Sequence, residues 1–376
     1  MKFLHTADWH LGKLFYGTYL TEEQAWLLQN QLLPLIDEER PDVILLAGDV
    51  YDRSVPPAEA VVLFDEMISE ICGKRRIPFV VISGNHDSAE RLSFGSALLA
   101  TSGLYMCGDL ARLSPIPISD ASGTVCIIPL PYAETAEVRR ALSVDVHTKE
   151  EALSALAASL LETVPAGTRT IALAHDFIAG GTESDSERPL SIGGTDPVSA
   201  DIFTPFSYTA LGHLHGPQQA GGKDFIRYSG SLLKYSFGEA KQKKGVILGE
   251  IDATGHVETK FVQLSPRHDV RVISGTFEEL MAREDPAPDD FLLADLADDA
   301  PVIDAMARLR QKYPNMSALR TKAMTQEDSG MRISLHERVD MTDMLDAFSE
   351  VFRGRTLTDE EKGLFAELLQ KTEEDA

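Results

Sequence analysis

The sequence predicts an α/β fold: two packed β-sheets flanked by helices, then a small α/β cap domain and C-terminal helices. Three observations carry this expectation. The first 105 residues repeat a strand, loop and helix three times, the pattern of a parallel sheet with helical crossovers. From Tyr208 the texture changes to short strands separated by tight turns at Gly221-Gly222 and Ala253-Thr254-Gly255. Around Ser265-Pro266 this body ends, and strands and helices resume on a smaller scale. A chain of 376 residues is long for a single core, so one large domain with appended units is the natural division. The expected boundaries are 1–265, 266–330 and 331–376.

Each element follows from its local pattern. Phe3 to His5 reads as a short strand, and Glu22 to Glu39 as a helix. Val43 to Ala47 is a continuous apolar run between Pro41 and Gly48, as expected of a strand buried on both faces. Ala58 to Ile71 carries apolar residues at helical spacing, Phe79 to Ile82 repeats the buried-strand pattern, and Ala89 to Ala100 is a helix. Strands are expected at Val125 to Ile128 and Thr170 to Ala174, with a helix from Glu150 to Thr163 between them. Tyr208 to Leu211, Phe225 to Tyr228, Val246 to Ile251 and Val257 to Val262 follow as strands. In the cap, strands at Val270 to Ile273, Phe291 to Ala294 and Ser317 to Thr321 alternate with helices near Phe277 to Ala282 and Pro301 to Lys312. Thr342 to Phe352 and Asp359 to Leu369 read as amphipathic helices, the second with Thr358 as N-cap and Glu361 three residues on.

Composition excludes several classes. Nothing resembles a signal peptide, and no run of about 18 apolar residues suggests a membrane span. Three scattered cysteines (Cys72, Cys107, Cys126) suit a reducing cytoplasm and leave no cysteine-based zinc site. The net charge of −24 argues against nucleic-acid binding by bulk positive charge. Residues 266–376 carry 14 Lys/Arg against 25 Asp/Glu and the remainder 21 against 34, so neither part is basic. Contact with DNA would need local basic patches, bound cations or a partner.

Five short segments place oxygen and nitrogen donors just after expected strands: Asp8-Trp9-His10, Gly48-Asp49, Gly84-Asn85-His86-Asp87, Ala174-His175 and Gly212-His213-Leu214-His215. Ligands bind beyond the carboxyl ends of strands in α/β sheets, so loops remote in sequence converge there. Singly, each segment has a bland reading: a capping Asp, a turn, a satisfied core histidine. Together they hold five of the ten histidines with the carboxylates of Asp8, Asp49 and Asp87 and an amide, which outweighs coincidence. Imidazole with carboxylate and amide oxygen suits Mn²⁺, Fe²⁺ or Zn²⁺. Two dications about 3.5 Å apart repel by roughly 5 kcal/mol even at the dielectric constant of water. A bridging carboxylate is the remedy. Two carboxylates and one hydroxide would leave a formal +1, which a phosphodiester neutralises.

This ordered series of motifs resembles the calcineurin-like metallophosphoesterases. Further segments, His5-Thr6-Ala7-Asp8-Trp9-His10-Leu11-Gly12, Gly48-Asp49-Val50-Tyr51-Asp52, Gly84-Asn85-His86-Asp87-Ser88 and Tyr228-Ser229-Gly230-Ser231, are similar to the nuclease branch that serves bacterial DNA repair. The loop Lys234-Tyr235-Ser236-Phe237-Gly238-Glu239 is similar too. The resemblance implies a four-layer sandwich and two divalent ions, usually Mn²⁺. One ion would be held by Asp8, His10, Asp49 and His215, the second by Asp49, Asn85, His175 and His213, with Asp49 as the bridge. His86 would lie beside the phosphate as a transition-state stabiliser or proton donor, with Asp87 orienting it. It further implies 3′→5′ exonuclease action on duplex ends and endonuclease action on single strands and hairpins. The implied partner is an ATPase with a long coiled coil, in a cytoplasmic 2:2 complex that reaches the nucleoid through DNA. The chain has no phosphate-binding loop of its own for ATP.

Lys74-Arg75-Arg76, Arg139-Arg140, Lys234, Lys241 and Lys243-Lys244 offer a DNA track, against the plain alternative of a solvated charged surface. Tyr235 and Phe237 could stack on unpaired bases or serve as core residues. Met344, Leu345, Phe348, Val351 and Phe352 on one helix, and Leu364, Phe365, Leu368 and Leu369 on the next, form apolar stripes that would dock either on this chain or on the ATPase. Two alternatives stand beside the nuclease: a phosphatase or cyclic-nucleotide phosphodiesterase with the same ligands, and a non-catalytic DNA-end tether.

Overall fold

The computed structural model describes residues 1–184, 186–187, 197–321, 355, 357–358 and 361–363. Two compact units are present, Met1–Leu319 and Arg320–Ala376. The expected C-terminal helices lie almost wholly outside the described residues. Of them, Thr358 and Glu361 form the reciprocal cap that their spacing predicts: Glu361 N–H donates to Thr358 Oγ1 at 3.3 Å, and Thr358 N–H to Glu361 Oε2 at 2.9 Å.

The first unit is built on two six-stranded sheets. One has the order Val257–Gln263, Gly245–Ile251, Lys2–Thr6, Val43–Ala47, Phe79–Ile82 and Leu104–Cys107. Its last four strands run parallel, and the first two complete it antiparallel. The other has the order Gln218–Ala220, Lys223–Tyr228, Tyr208–Gly212, Arg169–His175, Gly123–Leu130 and Ile116–Asp120.

Alternation along each strand explains the layering. Val43, Leu45, Val80 and Ile82 point into the space between the sheets, where they meet Val125, Ile127, Ile171, Leu173 and Tyr208. Ile44, Leu46, Phe79 and Val81 point the other way, against Leu28, Leu32, Leu63, Phe64 and Met67 of the covering helices. Ile128, Leu130, Ala172 and Ala174 face Leu153, Leu156 and Leu160 on the far side. Because both faces are covered, strands such as Val43–Ala47 are apolar throughout. The layers are therefore helix, sheet, sheet, helix.

A three-stranded sheet, Val270–Gly275, Phe291–Leu296 and Met316–Thr321, carries its own core of Phe277, Leu280, Leu292, Leu309 and Tyr313. Val270, Phe291 and Leu293 on its other face join the core of the first sheet, and residues 266–319 fall in the same compact unit as the body. Phe291 meets Phe15 edge-on, with ring centroids 5.7 Å apart.

Several expected elements differ in extent. The helix of Glu22–Glu39 begins at Thr21 and loosens to a π-helical turn over Leu28–Leu32. Ala89–Ala100 is broken at Gly95, whose φ of 69° ends the helical path. Pro301–Lys312 shortens to Ala305–Arg310. The strands Leu104–Cys107, Ile116–Asp120 and Gln218–Ala220 and the helix Thr135–Leu142 were not anticipated from sequence.

Candidate metal centre

Parallel strands of the two sheets deliver the five motif segments to one place. Lys2–Thr6 leads to Asp8, Val43–Ala47 to Asp49, Phe79–Ile82 to Asn85 and His86, Arg169–His175 ends on His175, and Tyr208–Gly212 leads to His213 and His215. Donor atoms of Asp8, His10 and His215 lie within 4.8 Å of one another, as do those of His10, Asp49 and His86, and of Asp8, Asp49 and His175. All of these side chains are buried.

The loops are bent hard to achieve this. Asp8, His10, Asp49 and His213 have positive φ (51°, 44°, 48° and 102°), four of the nine such non-glycine residues among those described. A conformation costing about 1–3 kcal/mol per residue persists where surrounding structure over-determines it, as at functional sites. The motif glycines allow the ligands to approach. A Cβ on Gly48 would sit 2.2 Å from His175 Nδ1, and one on Gly84 would sit 2.2 Å from Asp49 Oδ1.

The hydrogen bonds leave a specific set of lone pairs exposed to one another. His175 Nδ1 lies 2.8 Å from the Ala47 carbonyl, which can only accept, so the ring's proton is on Nδ1. Nε2 is then bare, yet it faces Asn85 Oδ1 at 2.9 Å and Asp49 Oδ2 at 3.5 Å. His215 Nδ1 meets Ser186 Oγ at 2.7 Å, and its Nε2 faces His10 Nε2 at 3.1 Å. His10 Nδ1 and His213 Nε2 are buried with no hydrogen-bond partner. Such unpaired buried groups cost free energy unless something electropositive meets them.

Electrostatics agree. Burial, and then the neighbouring Asp49 carboxylate, push Asp8 well above the usual carboxylate range. Burial holds His10, His175 and His213 below the ordinary imidazole value, so they present neutral rings. Neutral imidazoles are the state in which divalent cations bind, and a cation would offset the burial and repulsion that disfavour a charged Asp8 beside Asp49. The residues present fit such ions.

His86 and Asp87 divide their expected roles differently. His86 Nδ1 donates to the Asp52 carbonyl at 2.8 Å, so Asp52, rather than Asp87, orients the imidazole. Asp87 instead accepts from the backbone N–H of Gly84, Val50 and Tyr51 at 2.9, 3.1 and 3.0 Å, tying two motif loops together. Burial, and then Asp49, push it up to about 7.

The expected DNA track changes most. Lys234 is engaged by the Ala240 carbonyl at 2.8 Å and Asp269 at 2.9 Å, anchoring the following segment instead of facing solvent. Tyr235 is buried; its hydroxyl donates to the Trp9 carbonyl at 2.5 Å and its ring packs against His10 and His215. It is a wall of the site, so base stacking is closed to it. Phe237 is likewise a core residue. Lys244 is buried, whereas Lys241 and Lys243 are exposed. Arg75 pairs with Asp37 and Glu70, and Arg139 donates to the Val146 carbonyl.

Gln24, Ser186 and Glu239 were missed by sequence reasoning. The Gln24 amide donates to the carbonyls of Trp9 and His10 at 2.9 and 2.8 Å and accepts from Gly12 N–H at 3.1 Å, setting the first loop. No sequence signal marks it.

Residues 1–217, more than half of the chain, match calcineurin-like phosphoesterase. The chain belongs to that family. It is a metal-dependent phosphoesterase. Residues 266–356 match the type 5 capsule protein repressor C-terminal domain. The chain is also 35% identical over 346 residues, 91% of each protein, to the D subunit of the nuclease SbcCD from Staphylococcus epidermidis. Among solved structures, TT1561 of Thermus thermophilus is similar at 13% identity with a TM-score of 0.40, over 70% of this chain and 99% of that one. Among the described residues no helix is long and apolar enough to cross a membrane.

Proposed function

We propose that this phosphoesterase is a two-metal DNA nuclease. The observation that carries the metal reading is the convergence of donors: atoms of Asp8, His10, Asp49, His175 and His215 cluster in overlapping triads within 4.8 Å, Asn85 Oδ1 lies 2.9 Å from His175 Nε2, and His213 Nε2 is buried without a hydrogen-bond partner. One ion is held by Asp8, His10, Asp49 and His215, and the second by Asp49, Asn85, His175 and His213. Mn²⁺ is the proposed ion, consistent with imidazole and hard oxygen donors. Bound dications supply Lewis acidity towards a phosphodiester and offset the charge that develops during attack. His86, its Nδ1 proton fixed by Asp52, has Nε2 left to exchange a proton with the leaving oxygen. Asp87 keeps the loops of Asp49 and His86 in register.

The substrate reading leans on the named relative, part of a nuclease, matched over most of both chains. The activities are 3′→5′ cleavage of duplex ends and endonucleolytic cleavage of single strands and hairpins. With a net charge of −24, the chain needs its cations and a partner to hold DNA. That partner is an SbcC-type ATPase, in a 2:2 complex. Purified protein with Mn²⁺ should cut hairpin DNA and leave a chromogenic phosphate monoester nearly untouched. The reverse preference would make it a phosphatase, and inactivity on both would leave only a tether. Deleting residues 338–376 should preserve Mn²⁺-dependent cleavage and abolish co-purification with the ATPase. Unchanged ATPase binding would refute docking there.

A further inference from the structure

Behind His215 lies a buried ionic group that the metal ligands alone do not explain. Glu239, at the end of the turn Phe237–Glu239, is wholly buried, and so is Lys244. The Lys244 ammonium is bonded to the Glu239 carboxylate, the His215 carbonyl at 2.7 Å, Ser231 Oγ at 2.9 Å and Gln242 Oε1 at 2.8 Å. An ammonium buried this fully requires a counter-anion, and Glu239 is the carboxylate in contact with it. Glu239 is therefore ionised and can only accept hydrogen bonds.

That fixes the direction of every proton around His215. The Ser186 hydroxyl is bonded to Glu239 Oε1, and since the carboxylate cannot donate, Ser186 does. The Ser186 oxygen, 2.7 Å from His215 Nδ1, must then accept from the ring. Glu239 Oε1 is itself 3.3 Å from the same Nδ1, a second acceptor for the same proton. Both point to one outcome, an Nδ1–H imidazole with a bare, electron-rich Nε2.

We infer that Glu239 is a positioning residue for His215: through Ser186 and directly, it holds the ring proton on Nδ1 and so presents Nε2 to a divalent cation, with Lys244 balancing its charge. The inference rests on the reading of His215 as a metal ligand. Glu187 reinforces the placement, because its Oε1 accepts the His215 backbone N–H at 2.8 Å. Carboxylates behind ligating histidines raise ligand basicity, and losing one typically weakens metal affinity by about 10–100-fold.

The test uses the full chain, Mn²⁺ alone as probe, calorimetry for affinity and ¹⁵N imidazole NMR of the metal-free protein for the tautomer. Glu239→Gln keeps the shape and should weaken one Mn²⁺ site by about 10–100-fold while His215 leaves its pure Nδ1–H form. Glu239→Gln/Lys244→Met removes both charges together, which protects the fold from an unpaired ammonium; it should show the same weakened site. His215→Ala should abolish that site. If His215→Ala binds two Mn²⁺ normally, the ligand reading itself fails. If His215→Ala loses a site while both Glu239 variants bind like the parent, or if Lys244→Met restores full affinity, the positioning role is overturned.

Discussion

The two halves of the centre hold a histidine in the same protonation state by different means. His175 leans on the Ala47 carbonyl, a backbone atom fixed by the register of the first sheet. His215 leans on Ser186 and Glu239, side chains that need Lys244 to balance their charge. A carbonyl support is neutral and rigid, so the His175 half is set by the packing of the sheets. A carboxylate support adds charge and basicity, so the His215 half is set by side-chain chemistry that a single substitution can alter. One half should fail when backbone approach is blocked, the other when charge is removed.

Asp49 Oδ2 lies 3.5 Å from both His10 Nε2 and His175 Nε2, so in the proposed two-metal reading it joins the halves, and removing its charge should have the largest effect. Asp49→Asn should lower Mn²⁺ stoichiometry below two and reduce cleavage by roughly 10³-fold or more, the loss of several kcal/mol of charge stabilisation. Elemental analysis with cleavage rates checks this. Two ions bound at parental affinity would separate Asp49 from the shared role.

His86 should come next, because in the proposed reading it borders the metal ligands without being one of them. Its ring packs edge-on to His10 at 4.7 Å and its Nε2 is 3.9 Å from Asp49 Oδ2. His86→Ala should retain two Mn²⁺ and slow cleavage by about 10²–10⁴-fold, the range for a positioned proton-transfer group. Loss of metal from this variant would make His86 a ligand.

Gly48 tests the backbone-supported half. With φ of +80° and a virtual Cβ 2.2 Å from His175 Nδ1, Gly48→Ala should displace His175 from the Ala47 carbonyl. The expected cost is about 1–3 kcal/mol of stability, with Mn²⁺ lost from the His175 half and kept at His215. Thermal unfolding and metal titration read the two effects, and equal loss at both sites would erase the proposed asymmetry.

The same asymmetry marks what the sequence could disclose. Val43–Ala47 and Phe79–Ile82 were legible to the residue because a strand covered on both faces is apolar throughout and ends at Gly or Ser. The convergence of the donors that follow them was legible too, since Asp, Asn and His after such strands have few other uses in that combination. Edge strands such as Ile116–Asp120 alternate buried and exposed residues and stay hidden among loops. Glu239 and Lys244 were illegible for a physical reason: charged residues in a loop are almost always solvated, and only the fold shows them buried against each other. Lys234 and Tyr235 mislead in the same way, as a cation and an aromatic whose partners only the fold reveals.

His5 supplies the control for both halves and the smallest expected effect at the metal. It stands on the strand that leads to Asp8, yet both ring nitrogens are already satisfied. Nε2–H donates to the Leu211 carbonyl at 3.1 Å, and Nδ1 accepts from the Tyr208 hydroxyl at 3.0 Å. Protonating Nδ1 would force the Tyr208 hydroxyl to accept instead of donate and would place a charge in the core, and burial accordingly holds His5 down to about 3. A group whose folded value is depressed contributes stability that is fully present above its unfolded value of about 6.5. That stability is lost as pH falls from about 6.5 towards 3, and the total is a few kcal/mol. His5→Gln should leave two Mn²⁺ sites at parental affinity. At pH 7 it should be less stable by about 1–3 kcal/mol, through its lost buried hydrogen bonds. Denaturant unfolding of the metal-free proteins should show that gap narrowing as pH drops from about 6.5 to about 4, because only the parent must give up a proton to fold there. Parallel stability curves would mean that His5 takes up its proton without cost, and that satisfied ring nitrogens do not distinguish a core histidine from a ligand.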